Sequence, residues 1–371
     1  MMNQIKSQRS ETQLCVALFV LSIACAVAPR AMAEDDVHAD HSDHGAAPAS
    51  AHAGHSGPAA HAPIGVMGDH PHAKGETMLS YRYMRMEMKG MREGDESISR
   101  GKVLQDFMVT PTSMDMEMHM FGLMYAPIEK VTLSLMVPLV RLEMDHQTGT
   151  GRTFTTRSDG IGDISASALI ELWRNDEHEV HANLGLSFPT GSITEEDKLP
   201  APGGFGPKTR LPYPMQTGSG SFEFLPGLTY NGHANAWFWG GQARGKIRLN
   251  DNHATYRFGD EYALTAWGAF ELTKWVSMSL RTEWTHNMNI RGREGNGRLD
   301  PNAPPTVPTK DPGRQARMRL DLLAGVNFLI PGGPLSGIRL AFEGGLPVYE
   351  YLDGPALETD WLMTAGLQYA F

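Results

Sequence analysis

Two sets of residues in this chain could do chemistry. The first is histidine. Eight of the fifteen, His38, His41, His44, His52, His55, His61, His70 and His72, fall between residues 34 and 74. His38, His41 and His44 are spaced by three, with Asp40 and Asp43 between them. Neutral imidazole is a common ligand for Cu(II), Ni(II) and Zn(II). On a flexible segment the ligands are not preorganised, so the expectation is loosely held Cu, Ni or Zn and no required cofactor. A soluble linker that happens to use histidine is the alternative.

The second set is methionine. The stretch "SMDMEMHMFGLMY" (Ser113–Tyr125) puts Met114, Met116, Met118 and Met120 at every second position, with Asp115, Glu117 and His119 between them. Thioethers suit Cu(I), and a spacing of two puts them on one face of a strand. "MRMEMKGM" (Met84–Met91) repeats the pattern, with Arg85, Glu87 and Lys89 between its methionines. Catalytic patterns are missing: there is no G-x-S-x-G and no H-E-x-x-H. "HEVH" (His178–His181) has the wrong spacing, and "GIGD" (Gly160–Asp163) lacks the following glycine of a dinucleotide loop. The chain is therefore expected not to be an enzyme.

The elements that must position these residues divide the chain in three. Residues 1–33 hold Lys6 and Arg9, the apolar run "LCVALFVLSIACAVA" and the site Ala31-Met32-Ala33, the order of a secretory signal peptide. Both cysteines, Cys15 and Cys25, lie inside it, so the mature chain has no thiol and no disulfide. The formal charge is −10, and the signal holds three basic residues and one acid, which leaves the mature chain at −12. That balance argues against nucleic acid as a partner. Residues 34–74 are rich in Ala, His, Asp, Gly and Pro, with almost no aromatic or branched apolar side chains. They cannot bury a core and are expected to form a disordered arm in the periplasm.

From residue 75 to 371 the hydrophobic period is two. "WVSMSLRTEWT" sets Val276, Met278, Leu280 and Trp284 against Ser277, Ser279, Arg281 and Glu283. "RMRLDLLAGVNFLI" sets Leu320, Leu322 and Phe328 against Arg317, Arg319, Asp321 and Asn327. About twelve such segments occur, near 76–90, 114–125, 130–143, 160–173, 179–189, 219–231, 236–249, 260–271, 275–289, 316–330, 337–350 and 359–371. Most exceed the ~9–11 residues that a tilted strand needs to cross the hydrocarbon. Short connections such as "APIEK" and "RNDEH" alternate with long ones, 91–113, 144–159, 190–218 and 290–315. The expected fold is all-β: a closed antiparallel transmembrane β-barrel of about twelve strands with periplasmic turns and longer outer loops. The mean hydropathy of −0.31 does not oppose this, because only alternate residues of a barrel strand face lipid. Trp173, Trp237, Trp275 and Tyr369 fall near the short-turn ends, where an interfacial aromatic belt belongs.

A barrel has an oily outside and a wet inside, and that assigns faces. A charge on the lipid face costs up to ~2–4 kcal/mol at mid-depth, whereas a thioether costs almost nothing. Asp115, Glu117 and His119 are therefore expected to face the lumen, and the methionines the lipid. Met84, Met86 and Met88 follow suit, but Leu79, Tyr81 and Tyr83 upstream sit on the opposite parity, so a bulge near Tyr83 is expected. Two groups of charges are then expected to line a pore. Arg244, Lys246, Arg248, Arg281, Glu283, Arg317, Arg319, Asp321 and Arg339 lie on later strands, and Asp115, Glu117, Asp163, Glu171 and Glu223 on earlier ones. They could face one another as opposed walls with a transverse field, or pair and fill a narrow barrel.

"PIGVMGDHPHAKGETMLSYRYMRMEMKGM", "MDMEMHMFGLMYAP", "LPYPMQTGSGSFEFLPGLTY" and "LPVYEYLDGPALETDW" together resemble the transporter-like outer-membrane proteins grouped as the MetA-pathway of phenol degradation. The resemblance runs from about residue 64 to residue 371. It implies a barrel in the Gram-negative outer membrane that passes small solutes passively, aromatic compounds by the family's name. Its partners would be outer-membrane lipid, those solutes and the outer-membrane assembly machinery. The His-rich arm lies outside the resemblance and is similar, by analogy, to the Met/His-rich arms of copper-resistance outer-membrane proteins. The alternative is thus a metal-resistance protein whose barrel anchors the arm, and a third reading is an outer-membrane hydrolase.

Overall fold

The computed structural model of the protein describes residues 57–201, 204–294, 306–332 and 336–371. In chain order the elements are β1 (Thr77–Gly94), β2 (Glu96–Ile98), α1 (Arg100–Asp106), β3 (Val109–Ile128), β4 (Val131–Thr148), β5 (Thr153–Ile161), β6 (Ile164–Arg174) and β7 (His178–Phe188). There follow β8 (Glu196–Ala201), β9 (Gly204–Arg210), β10 (Glu223–Ala234), β11 (Trp237–Arg248), β12 (Tyr256–Arg257), β13 (Glu261–Thr273), β14 (Val276–Asn287), β15 (Arg291–Gly292), β16 (Arg317–Leu329) and β17 (Arg339–Ala370). Eleven of these form one antiparallel wall, in the order β17-β16-β14-β13-β11-β10-β7-β6-β4-β3-β1, and β17 pairs with β1 to close it.

The last element makes two passes. Its register with β16 runs from Leu329↔Arg339 to Arg317↔Leu352, and its register with β1 from Gly94↔Leu352 to Met78↔Ala370. The chain climbs beside β16, reverses near Leu352 and descends beside β1, so the wall has twelve passes. Phe371 finishes the seam: its N–H and C=O both bond Thr77, each at 2.8 Å. Closure removes every free edge, which a sheet in hydrocarbon requires.

The two rims differ. At one, reversals are tight, and Lys130 and Asn235 take positive φ (68° and 53°) in them. Trp173, Trp237 and Trp275 stand exposed on the outer surface of that rim. At the other rim, α1, the β8–β9 hairpin and the β12–β15 pair sit on long connections.

The lumen is not empty. Residues 57–74 lie inside the barrel, with Ala59, Ala62, Ile64, Val66, Asp69 and His72 all buried. This corrects the expected disordered arm of 34–74 over its last part. Its composition does exclude a core of its own, but the barrel wall supplies partners for its backbone. Residues 1–56, which include the signal peptide and His38, His41, His44, His52 and His55, lie outside the described residues.

Candidate functional site

The lumen has two storeys. The lower one, toward the tight-turn rim, holds residues 57–74 by side chains that reach in from the wall. An extended segment without a strand partner must find hydrogen bonds for each buried N–H and C=O. The Ile64 carbonyl accepts from Arg82 Nε at 3.1 Å, and the Ala62 carbonyl accepts from Arg339. Met67 C=O takes Gln242 Nε2 at 2.9 Å, Gly68 C=O takes His181 Nε2 at 3.0 Å and Asn183 Nδ2 at 3.2 Å, and Asp69 C=O takes Asn231 Nδ2 at 2.6 Å. In the other direction, Gly65 N–H donates to Glu343 Oε2 at 3.1 Å and His72 N–H to Thr132 Oγ1 at 2.8 Å. Gly65 lies close against the wall: a Cβ there would stand 2.3 Å from Glu343 Oε2 and 2.4 Å from Arg281 Nη2, so the ion pair would have to give way.

Within this plug His61, Asp69 and His70 converge. His70 Nδ1 is 3.0 Å and His61 Nδ1 3.8 Å from Asp69 Oδ2, and the two rings meet edge to face at 4.6 Å. Burial pushes His61 down, and His70 and Arg339 beside it push it further, well below the usual imidazole range. Burial also drives Asp69 upward, but His70, His61 and Arg339 outweigh that and hold the carboxyl well below the usual range. For His70, burial lowers the pKa but Asp69 prevails and raises it.

The wall charges pair with one another at close range. Arg281 donates from Nε and Nη2 to Glu343 at 2.8 and 2.9 Å and from Nη1 to Glu283 at 3.0 Å, while Arg244 reaches Glu283 at 2.6 Å. Arg319 meets Asp321 at 2.8 Å, Arg248 meets Glu223 at 3.0 Å, Arg317 meets Glu350 at 3.8 Å and Lys246 meets Glu261 at 3.8 Å. All of these point inward, as does Glu171, which stands opposite the buried His181 in the register and meets Arg174 at 3.2 Å. These charges pair within and between neighbouring strands, whereas Arg82 and Arg339 bond neutral groups. Glu261 and Glu343 stand on the lumen parity of their strands, which is the signal the sequence offers; Glu350 has the opposite parity to Glu343 and turns inward only past a register shift between β16 and β17, which the sequence does not mark. Asp163 is elsewhere: its carboxylate accepts from Gly191 N–H at 2.9 Å and Ser219 N–H at 2.8 Å, tying two long outer loops together.

The upper storey is lined by methionine. On β3, Phe121, Leu123 and Tyr125 are 48, 42 and 45% exposed, while Met114 and Met124 are 4 and 2% exposed. The register against β1 and β4 is unbroken between these positions, so Met114, Met116, Met118 and Met120 face the lumen, and Asp115, Glu117 and His119 share the outer face with Phe121. The same holds on β1, where Arg319 Nη1 lies 3.7 Å from Met86 Sδ and Arg317 Nη1 lies 3.8 Å from Met88 Sδ. Met88, Met91, Met114, Val140, Leu142, Met144 and Leu357 form one apolar cluster with Val103 of α1, Phe107, Leu211 and Met215, which fold in from the outer loops.

Three expectations are therefore corrected. Asp115, Glu117 and His119 face outward, the methionines face inward, and β1 has no bulge at Tyr83, because its register runs from Thr77↔Tyr125 to Lys89↔Ser113 without a shift. The cause is strand length. β3 has 20 residues and β4 has 18. Only about 25 Å of outer surface needs to be apolar, and at ~3.3 Å per residue such tilted strands outrun it. On β4 the outer face reads Leu133, Leu135, Val137, Leu139, then Arg141, Glu143, Asp145; the inner face reads Thr132, Ser134, then Met136, Val140, Leu142, Met144. Polarity inverts partway up a single strand. Above the inversion, outer charges meet water and one another: Arg85 donates to Asp115 at 2.7 Å, Tyr83 to Glu117 at 3.1 Å, and Arg157 grips Glu143 through two 2.8 Å bonds.

The family model described as "Putative MetA-pathway of phenol degradation" matches residues 100–307. No curated protein matches the sequence. Among solved structures, an outer-membrane channel from Pseudomonas putida F1 is similar in fold, with a TM-score of 0.57 at 12% identity over 82% of this chain and 98% of that one. A FadL homologue from Pseudomonas aeruginosa has a TM-score of 0.36 at 12% identity, covering 80% of this chain and 90% of that one. The toluene transporter TodX from P. putida has a TM-score of 0.42 at 9% identity, covering 81% of this chain and 90% of that one.

Proposed function

Because the chain belongs to the MetA-pathway family of phenol degradation, we propose that it is a passive outer-membrane channel for small apolar solutes, simple aromatic compounds among them. The observation that carries this reading is the methionine-lined upper lumen. A sugar porin needs a wet, charged constriction; here Met114, Leu142 and Met144 pack with Val103, Phe107, Leu211 and Met215 of the outer loops, and Met116 and Met118 flank that cluster. Thioethers are polarisable and adaptable, and sulfur–aromatic contacts contribute ~0.3–1.5 kcal/mol each. An aromatic solute would pass from the outer loops onto this lining, and the long-loop rim would face the outside. The plug would face the periplasm, and solute transfer would require residues 57–74 to shift.

The test is uptake of labelled toluene by intact Gram-negative cells with and without the chain, alongside arabinose. Faster toluene uptake with unchanged arabinose uptake is expected. Met116→Lys puts a charge into the lining and should cut the toluene gain roughly tenfold, the equivalent of ~1.4 kcal/mol. Equal uptake of both solutes, or a gain for arabinose alone, would overturn the reading.

A further inference from the structure

We propose that His61, Asp69 and His70 form a binding site for one divalent transition-metal ion, Zn(II) or Cu(II) in chemistry, built into the plug. The reading does not depend on what the barrel passes. One ligand atom from each of the three residues lies within 4.8 Å of the others. His61 Nδ1 is buried without a hydrogen-bond partner, and His70 Nδ1 faces Asp69 Oδ2 at 3.0 Å. A buried polar atom is rarely left as His61 Nδ1 is, and two imidazole nitrogens converging on one carboxylate match the donor set of such ions. A bound ion needs about 2.0–2.2 Å to each donor, which small ring rotations would supply.

The surroundings point the same way. Asp69 Oδ2 also accepts the Ala62 N–H at 3.1 Å, which fixes the carboxylate. His72 stands beside His70 at 4.7 Å between ring centroids; its Nδ1 faces Glu76 Oε1 at 3.4 Å, and its Nε2 is buried without a partner. A carboxylate behind one ring nitrogen with the other nitrogen free is how metal-binding histidines are commonly oriented, so His72 is the adjacent donor for a fourth position. The side chains of His61 and His70 keep 24 and 22% of their surface, which leaves an ion a way in. Residues 61 and 70 bracket the loop that Arg339, Arg82, Gln242 and His181 hold, so one ion would cross-link the plug while it is seated.

The experiment is Zn(II) titration of the full mature chain, purified in detergent, stripped with EDTA and competed against a chromophoric chelator. Because His38, His41, His44, His52 and His55 can bind loosely, the reference is the chain with all five changed to Ala. It should keep one tight equivalent. Adding His61→Ala and His70→Ala should weaken that equivalent by about 100-fold or more, and Asp69→Asn, which can still accept from Ala62, by about tenfold. Heat-modifiable mobility on gels confirms that each barrel is folded. Absence of a tight equivalent in the five-alanine chain, or an equivalent indifferent to the plug substitutions, would overturn the site.

Discussion

The lower and upper halves of this barrel are built from the same strands and turned inside out. Below, Leu133, Leu135 and Phe121 cover the outside, while Arg82, Arg281, Arg339 and Glu343 crowd the inside around residues 57–74. Above, Asp115, Glu117, Arg141 and Glu143 cover the outside, while Met114, Leu142 and Met144 crowd the inside. Each half obeys its own surroundings. Lipid below demands an apolar exterior, and a polar interior there is satisfied by a backbone with many groups to pair. Water above accepts charges outside, so the interior is free to be apolar.

The largest test of the difference is the lower interior. Arg281→Ala would leave Glu283 and Glu343 without their guanidinium in a buried setting. Breaking one side of a buried ion pair costs about 3–5 kcal/mol, measured as urea unfolding in phospholipid vesicles. A loss below about 1 kcal/mol would mean that this half of the lumen is as wet as a surface. Next comes the lower exterior: Leu135→Arg should cost ~2–4 kcal/mol if the residue lies near mid-bilayer, read by the same unfolding. A neutral result would place the hydrocarbon elsewhere on β4. Third is the fit of the plug. Gly65→Ala pushes a methyl group into the Glu343–Arg281 pair. Overpacking of this kind costs ~1–3 kcal/mol, and the cost falls on the seated plug alone. Protease cleavage within 57–74 and planar-bilayer conductance should both rise, with the barrel's unfolding unchanged. If neither moves, the plug is not held at Gly65.

The sequence carried the wall well and its depth badly. Period two, the tight reversals at "APIEK" and "RNDEH", and the last alternating segment, 359–371, are local signals, and the twelve passes fall where they predict. On β14 and β16, where lipid depth and strand length coincide, the faces follow too: Arg281 and Arg319 inside, Leu280 and Leu322 outside. Parity sorts residues into two faces, but it does not say how high on the barrel a residue stands. The cost of a charge in lipid argues for Asp115 inside, but that cost does not apply where the strand has left the lipid. The plug was illegible for a related reason. Residues 57–74 lack the apolar content to fold, and what orders them is a set of wall side chains, Arg82, Gln242, Asn231 and Glu343, each far away in sequence. The pairing of Asp69 with His61 and His70 follows from that placement, not from spacing.

The smallest expected effect is the most discriminating. Asp115 meets Arg85 at 2.7 Å on the upper exterior, and both side chains are more than a third exposed. Asp115→Leu removes that pair. If the residue stands in water, the loss is that of a surface ion pair, within about 1 kcal/mol and smaller still in high salt. If the residue stood in hydrocarbon, the same substitution would remove a costly acid and supply an apolar side chain, so the barrel would gain stability, by somewhat less than the ~2–4 kcal/mol known for basic residues at mid-depth. The two pictures differ in sign, not only in size. Vesicle unfolding of Asp115→Leu beside Leu135→Arg therefore locates the level at which the exterior passes from oil to water. A stabilised Asp115→Leu would return the methionines of β3 to doubt as the lining of the upper lumen.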